Sequence, residues 1–113
     1  MDDYVELLRY ADSLGVTIVP EFDSPGHSRA AIRAMEHRYR TTGDASLRLI
    51  HDGDTSQYTS AQSFHDNIMN PALEGPYKFW GIVFDALADI HARAGVAMPI
   101  VHVGGDEVPS HAW

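Results

Sequence analysis

Two short apolar segments constrain the fold of this 113-residue chain more than any other feature of its sequence. Residues 16–19 (VTIV) and residues 100–103 (IVHV) are rich in β-branched side chains, and neither shows the apolar–polar alternation of a half-exposed strand. Such segments are typical of strands that are buried on both faces of a parallel sheet. Two strands cannot cover both of their own faces, so we expect further strands and helices to complete the sheet.

Three predicted helices surround these strands. Residues 2–14 and 77–94 repeat apolar side chains at spacings of three and four, and a glycine follows each stretch. Residues 28–38 are rich in alanine and arginine and form the predicted second helix. Residues 41–76 carry turn-forming pairs without a helical period, and a loop of this length in a compact domain is often functional.

The predicted order is helix, strand, helix, loop, helix, strand, which is typical of an α/β fold built from repeated strand–helix units. A (β/α)8 TIM barrel needs about 250 residues, more than twice the length of this chain. We therefore predict that residues 1–113 are one section of a larger repeating β/α fold, for which a single (β/α)8 domain is the candidate. A small complete αβ domain is the alternative interpretation.

Charge and composition exclude several functional classes. The chain has 16 acidic and 8 basic residues and a net charge of −8, so it has no electrostatic attraction for nucleic acid or anionic lipid. The absence of cysteine excludes a disulfide framework, a cysteine–zinc site and a thiol nucleophile. No apolar run approaches the roughly 18 residues of a membrane span, and no signal-peptide pattern is visible at the N-terminus.

Carboxylates and imidazoles follow both predicted strands, in residues 21–27 (EFDSPGH) and residues 102–107 (HVGGDE). The carboxyl ends of parallel strands line the active site of β/α folds, so we expect these groups to meet. A lone Asp-Glu pair usually lies on a solvated surface, but here it follows a buried strand and two glycines. Adjacent side chains point in different directions, so Asp106 and Glu107 can reach different substrate atoms, one as an anion and one as a proton shuttle.

These segments resemble the two signature motifs of glycoside hydrolase family 20, the β-N-acetylhexosaminidases. Residues 23–27 (DSPGH) and 102–108 (HVGGDEV) occur in the order of that family, and the resemblance covers essentially the whole chain. Residues 54–71 and 91–95 look most like the bacterial chitobiase branch. The resemblance implies a barrel section from the second helix through the fourth strand, in a bacterial protein that is periplasmic or secreted.

The resemblance assigns the catalytic roles to Asp106 and Glu107. It implies that the acetamido oxygen of the substrate attacks the anomeric carbon while Glu107 protonates the glycosidic oxygen, giving an oxazoline-type intermediate. Glu107 then acts as the base toward water, and the configuration is retained. Asp106 orients the acetamido group as an anion. The implied substrates are oligosaccharides with terminal β-linked N-acetylglucosamine or N-acetylgalactosamine, as in chitin degradation, and the reaction needs no cofactor and no metal.

Four further residues receive supporting roles from the same resemblance. His27 matches a histidine that supports the acid/base, and Asp23 matches an aspartate of the same polar network. For a histidine taken alone, a satisfied loop residue would be the ordinary interpretation. His102 matches a motif histidine in substrate binding or structural support. Trp113 is a candidate for stacking on a sugar face, with packing in the core as the alternative.

Three competing interpretations remain open. The GGDE of residues 104–107 also resembles the signature of diguanylate cyclases, but residues 23–27 would then have no role. A metal-dependent barrel hydrolase is possible because the chain has seven histidines and many carboxylates, although no His-x-His pair lies at either strand end. An inactive fragment that only retains the motifs is the non-enzymatic alternative.

Overall fold

The computed structural model describes residues 2–113, and Met1, the first residue of the predicted barrel section, lies outside them. Three helices are present in the described residues: α1 (Asp2–Ser13), α2 (Arg29–Thr42) and α3 (Glu74–Ala94). All three helix predictions are confirmed, with α2 longer at its C-terminal end and α3 longer at its N-terminal end. Residues 43–73, which we call the 43–73 loop, connect α2 to α3 and contain no regular element.

The two predicted strands do not form a ladder. In the described residues the pairing is limited to one parallel bridge, between Glu21 and His102, just beyond the first predicted strand and at the end of the second. The His102 N–H donates to the Pro20 carbonyl over 2.9 Å, and the His102 carbonyl accepts from the Phe22 N–H over 2.9 Å. This alternation is the hydrogen-bond pattern of parallel strands. The segments therefore run side by side in the predicted direction, with only their carboxyl ends joined.

The predicted burial of the two strand segments is wrong for this chain. Val16, Val19, Ile100 and Val103 are between 45% and 58% exposed. A parallel strand is buried only when helices cover its faces and neighbouring strands pair with its edges. Within residues 2–113 each segment has only the other as a strand partner, and Ile18 of the first segment packs against α1 and α3. The four exposed side chains therefore remain in contact with solvent. The lack of further strand partners accounts for the missing ladder, and the barrel remains a proposal.

The first apolar cluster joins the two ends of the chain. Val5 and Leu8 of α1 pack against Ala94 at the end of α3, with Tyr4 and Ile90 at the margin. The predicted apolar face of residues 2–14 is only partly right, because Leu7 of α1 and Leu14, which lies just beyond its end, are exposed. A helix can rotate about its own axis, so the element that packs against it determines which of its apolar residues are buried.

Helices α1 and α3 are also joined by an arginine. The Arg9 guanidinium donates to the carbonyl of Ala94 over 3.2 Å and to that of Arg93 over 2.8 Å. These carbonyls lie at the C-terminal end of α3, where the helix has no internal donors for them and where a positive charge is favourable.

The second apolar cluster places the 43–73 loop on α2. Ile32 of α2 packs with Leu49 and Met69 of the loop, and all three are almost completely buried. Phe79 and Trp80 of α3 close this cluster from the other side. The long loop is therefore packed against two helices, which fixes its position relative to the strand ends.

None of the three helices in residues 2–113 combines the length and the apolar character that crossing a lipid bilayer would require.

Candidate active site

The pairing of the two segments brings the two acidic motifs together. Beyond the bridge at His102, the Ser24 N–H donates to the Val103 carbonyl over 3.0 Å. Asp23 therefore lies opposite the turn that begins at Gly104. The predicted convergence of the two motifs at one edge is present in the structure.

The two glycines before Asp106 make room for Asp23. Gly104 has φ of +68° and Gly105 has φ of +115°, both in the region that side chains rarely adopt. A Cβ atom at Gly104 would overlap the Asp23 carboxylate. The Gly105 N–H donates to Asp23 Oδ1 over 2.8 Å. The group that approaches the two glycines closely is therefore a carboxylate of the same chain.

His27 lies at the centre of the carboxylates. Its Nε2 atom is 3.5 Å from Asp23 Oδ2, 3.8 Å from Asp106 Oδ1 and 3.4 Å from Glu107 Oε2. His27 and Glu107 both have positive φ, 52° and 50°, so their backbones are held in an unfavourable conformation that turns the side chains toward each other. The imidazole therefore lies within ion-pair distance of all three carboxyl groups, at separations longer than those of ordinary hydrogen bonds.

Asp23 and Asp106 shift each other's pKa in opposite directions. Burial acts to raise the pKa of Asp23, but hydrogen bonds from Asp106 and the Gly105 N–H, with the charge of His27, outweigh it, so the pKa lies below its ordinary value. The hydrogen bond with Asp23 raises the pKa of Asp106, and desolvation and the negative charge of Asp23 add to this effect. Asp106 therefore keeps its proton to a higher pH than Asp23 does.

Gln62 of the 43–73 loop is a site residue that the sequence did not reveal. Its Nε2 atom donates to Glu107 Oε2 over 2.6 Å. No motif marks this glutamine, and the only available signal was the unusual length of the loop. The general expectation that the loop is functional did not identify which of its residues reaches the site.

Two predicted site residues lie away from this cluster. The His102 ring faces Glu21, with Nδ1 3.1 Å from Oε1 of the carboxylate. Trp113 is exposed, and its indole N–H donates to the Met69 carbonyl over 3.1 Å. Trp113 also lines an open cleft of about 620 Å³ together with His111 and with Asp54, Asn70 and other polar residues of the loop. This cleft is larger than the one of about 300 Å³ that Asp23 and His27 border, and it does not include the acidic cluster.

The same cluster has the dimensions of a cation site. Asp23, His27 and Asp106 each offer one ligand atom, and these atoms lie within 4.8 Å of one another. Two carboxylate oxygens and one imidazole nitrogen suit several divalent metals. Exposed acidic groups often lie this close without binding an ion, so the geometry leaves the metal-dependent alternative open.

Comparison with known proteins identifies the family. Residues 1–113 match the catalytic domain of glycosyl hydrolase family 20. A beta-hexosaminidase of Vibrio vulnificus is 39% identical over 99% of this chain and 14% of its own length, and beta-hexosaminidase B of Pseudoalteromonas piscicida is 40% identical over 94% and 15%. The crystal structure of a GH20 exo beta-N-acetylglucosaminidase from Vibrio harveyi in complex with N-acetylglucosamine superposes with a TM-score of 0.73. It is 39% identical, and the match covers 96% of this chain and 15% of that structure.

The chain thus spans about one-seventh of the length of these relatives, 14% to 15%. The match runs through both acidic motifs and the loop between them, since it includes all residues from 1 to 113. The chain belongs to glycosyl hydrolase family 20.

Proposed function

We propose that residues 1–113 are one section of a (β/α)8 catalytic domain that hydrolyses terminal, non-reducing, β-linked N-acetylhexosamine residues. The observation that carries this proposal is the meeting of three carboxyl groups around His27, each within 3.8 Å of its Nε2 atom. These groups follow the carboxyl ends of the two paired segments, and β/α enzymes hold their active sites at the carboxyl ends of their strands. Relatives named beta-hexosaminidase and N,N'-diacetylchitobiase support the substrate class.

Glu107 is the proposed general acid/base. Its side chain is 45% exposed, so it is open to a substrate on one side while His27 and Gln62 contact it on the other. In the first step it gives its proton to the glycosidic oxygen as that bond breaks. In the second step the carboxylate takes a proton from the water that opens the oxazoline ring. In both steps the Glu107 carboxyl group lies beside the oxygen atom that leaves or attacks the anomeric carbon.

Asp106 is the proposed partner of the substrate's acetamido group. Its side chain is 70% exposed and therefore accessible to a substrate. As an anion it accepts a hydrogen bond from the amide N–H and stabilises the positive charge that develops on the oxazoline ring. The nucleophile and the electrophile belong to one molecule, so correct orientation supplies much of the rate enhancement. Asp23 acts on this group, because its hydrogen bond and its charge raise the pKa of Asp106.

The proposal predicts a specific loss for Glu107→Gln in the complete catalytic domain that contains this chain. Turnover of a phenyl N-acetyl-β-glucosaminide should fall by roughly 10²–10⁴-fold, because the glutamine has no proton to give. A dinitrophenyl substrate should lose much less, since its leaving group needs little protonation. Steady-state kinetics on the two substrates measure the difference.

Glu21→Gln is the matched control, because it removes a carboxylate that faces His102 instead of His27. It should leave both rates nearly unchanged. Equal losses of Glu107→Gln on both substrates would contradict the role of Glu107 as the acid. A thiazoline mimic of the intermediate should inhibit the unmodified enzyme strongly, and a β-glucoside with a plain 2-hydroxyl should be almost inert.

A metal-dependent hydrolase is the second candidate, and the spacing of Asp23, His27 and Asp106 favours it. Dialysis of the complete domain against a chelator distinguishes the two. Activity on N-acetylglucosaminides that survives chelation supports the substrate-assisted reaction. Activity that is lost and is restored by a divalent cation supports the metal enzyme.

A further inference from the structure

We infer that Gln62 is a positioning residue that holds the Glu107 carboxyl group in both of its protonation states. This inference rests on the proposed function, because it concerns a group that changes protonation state during turnover. The contact is direct, with Gln62 Nε2 donating to Glu107 Oε2 over 2.6 Å. It joins the 43–73 loop to the second acidic motif, across 45 positions of the sequence.

An amide is chemically suited to this task. Its NH₂ group donates to a carboxylate, and its carbonyl oxygen accepts from a protonated carboxyl group after rotation of the amide plane. A lysine or arginine in the same place could only donate, and a carboxylate could only accept, so neither could both donate to the ionised form and accept from the protonated form. Gln62 therefore retains a hydrogen bond to Glu107 before and after proton transfer, without adding a charge to an already acidic cluster.

The turn that carries Gln62 is rigid. The Ser60 N–H donates to the Phe64 carbonyl over 2.9 Å, and the Ser63 N–H donates to the Ser60 carbonyl over 2.8 Å. The Ser60 hydroxyl accepts from the Phe64 N–H over 3.1 Å, and Ser60 itself is buried. Three hydrogen bonds within five residues fix the direction in which the side chain of Gln62 leaves the turn.

The turn of residues 60–64 is also held against the start of α2. The Arg29 guanidinium lies over the Phe64 ring, 4.7 Å from its centroid, and its Nε donates to Asp66 Oδ1 over 2.7 Å. The cation, the aromatic face and the carboxylate together hold the loop on the helix.

Backbone hydrogen bonds extend this connection to the first acidic motif. The Ser28 N–H donates to the Asn67 carbonyl, and the Met69 N–H donates to the Pro25 carbonyl, each over 2.9 Å. The frame that positions His27 therefore also positions Gln62. Glu107 is held from both sides by groups on one connected piece of backbone.

The test uses Gln62→Met in the complete catalytic domain, because methionine keeps the length of the side chain and removes both hydrogen-bonding groups. Turnover of a phenyl N-acetyl-β-glucosaminide should fall about tenfold to hundredfold, the cost of losing one hydrogen bond to a charged group and of a displaced acid. Turnover of a dinitrophenyl substrate should fall less than threefold, and KM should change little on either substrate. The control is Gln57→Met, the same substitution at an exposed glutamine of the same loop.

The two substrates separate the possible outcomes. A loss confined to the phenyl substrate, with the control unchanged, supports the positioning role. Equal losses on both substrates, a rise in KM alone, or no loss overturns the inference while leaving the proposed function intact. An unmodified domain that hydrolyses neither substrate overturns the proposed function and this inference with it. Thermal unfolding of the variant, which should match the unmodified domain because Gln62 is exposed, excludes misfolding as the cause of a loss.

Discussion

At the scale of single residues, Asp23 has the most connections in the site. It accepts from the Gly105 N–H, lies 3.5 Å from His27, and raises the pKa of Asp106 by a hydrogen bond and by its charge. In the proposed reaction Asp106 acts as an anion, so it must be deprotonated before it can act. The network around Asp23 therefore sets the lowest pH at which Asp106 can act.

Asp23→Asn is expected to move the acidic limb of the pH profile. The hydrogen bond and the charge of Asp23 raise the pKa of Asp106, so Asp106 stays protonated to a higher pH and activity appears only above it. Asparagine removes the charge, and the acidic limb of kcat/KM should move to lower pH by about one unit. Kinetics between pH 3 and pH 8 measure the limb, with Glu21→Gln as a control that should not move it. A limb that stays in place or moves to higher pH would show that Asp106 does not control it.

At the scale of secondary structure elements, local signals predicted the helices well and the strands poorly. The glycines after α1 and α3 and the apolar spacing within α3 are properties of neighbouring residues, which the sequence displays directly. A strand is defined by its partners, and residues 16–19 have too few in this chain to form a ladder. The site shows the same division. The motif residues Asp23, His27, Asp106 and Glu107 meet as predicted, whereas Gln62 is placed by the packing of a loop that has no local period.

The packing of that loop depends on Arg48. Its guanidinium donates to both oxygens of Glu36 in α2, over 2.8 Å and 2.9 Å, and also contacts Asp52. Arg48 and Glu36 are largely buried, with side chains that are 13% and 14% exposed. Hydrogen bonds to Asp52 and Glu36 raise the pKa of Arg48 above its ordinary value. The pair therefore fastens the start of the 43–73 loop to α2.

Arg48→Met should destabilise the complete domain. It leaves the Glu36 carboxylate in a largely buried place without its cation, which costs about 3 kcal/mol in the free energy of unfolding. Urea unfolding followed by circular dichroism measures this change. The control is Arg40→Met, a substitution at an exposed position of α2, the helix that contains Glu36. It should change the free energy of unfolding by less than about 0.5 kcal/mol. A loss for Arg48→Met no larger than for the control would mean that the ion pair does not hold the loop.

At the scale of the whole molecule, residues 2–113 form an open slab. The radius of gyration is 16.3 Å, whereas a compact domain of this length has about 13 Å. The accessible surface is 7108 Å², compared with about 6,200 Å² for a compact protein of the same mass. The excess surface is partly apolar, and it includes both strand segments and aromatic side chains such as Tyr10 and Tyr77. The shape and the exposure indicate a surface that is suited to pack against further chain.

The isolated 113-residue chain should therefore associate and should not hydrolyse substrate. Unpaired strand edges and exposed apolar faces promote aggregation. Light scattering after size-exclusion chromatography should show species larger than a monomer, and a chromogenic N-acetyl-β-glucosaminide should not be turned over. The complete domain serves as the positive control for the assay. A monomeric 113-residue chain with turnover comparable to that of the complete domain would contradict both parts of this prediction.

The Asp23 carboxylate occupies the space that a side chain at position 104 would need. This contact links two positions of the sequence. Any residue larger than glycine at position 104 would need the space that the Asp23 carboxylate occupies, and it would also have to adopt a left-handed backbone. A chain of this fold can therefore keep an aspartate at position 23 only if position 104 stays glycine. A change at one of these positions restricts which residues the other can accept, so the two acidic motifs are constrained to evolve together.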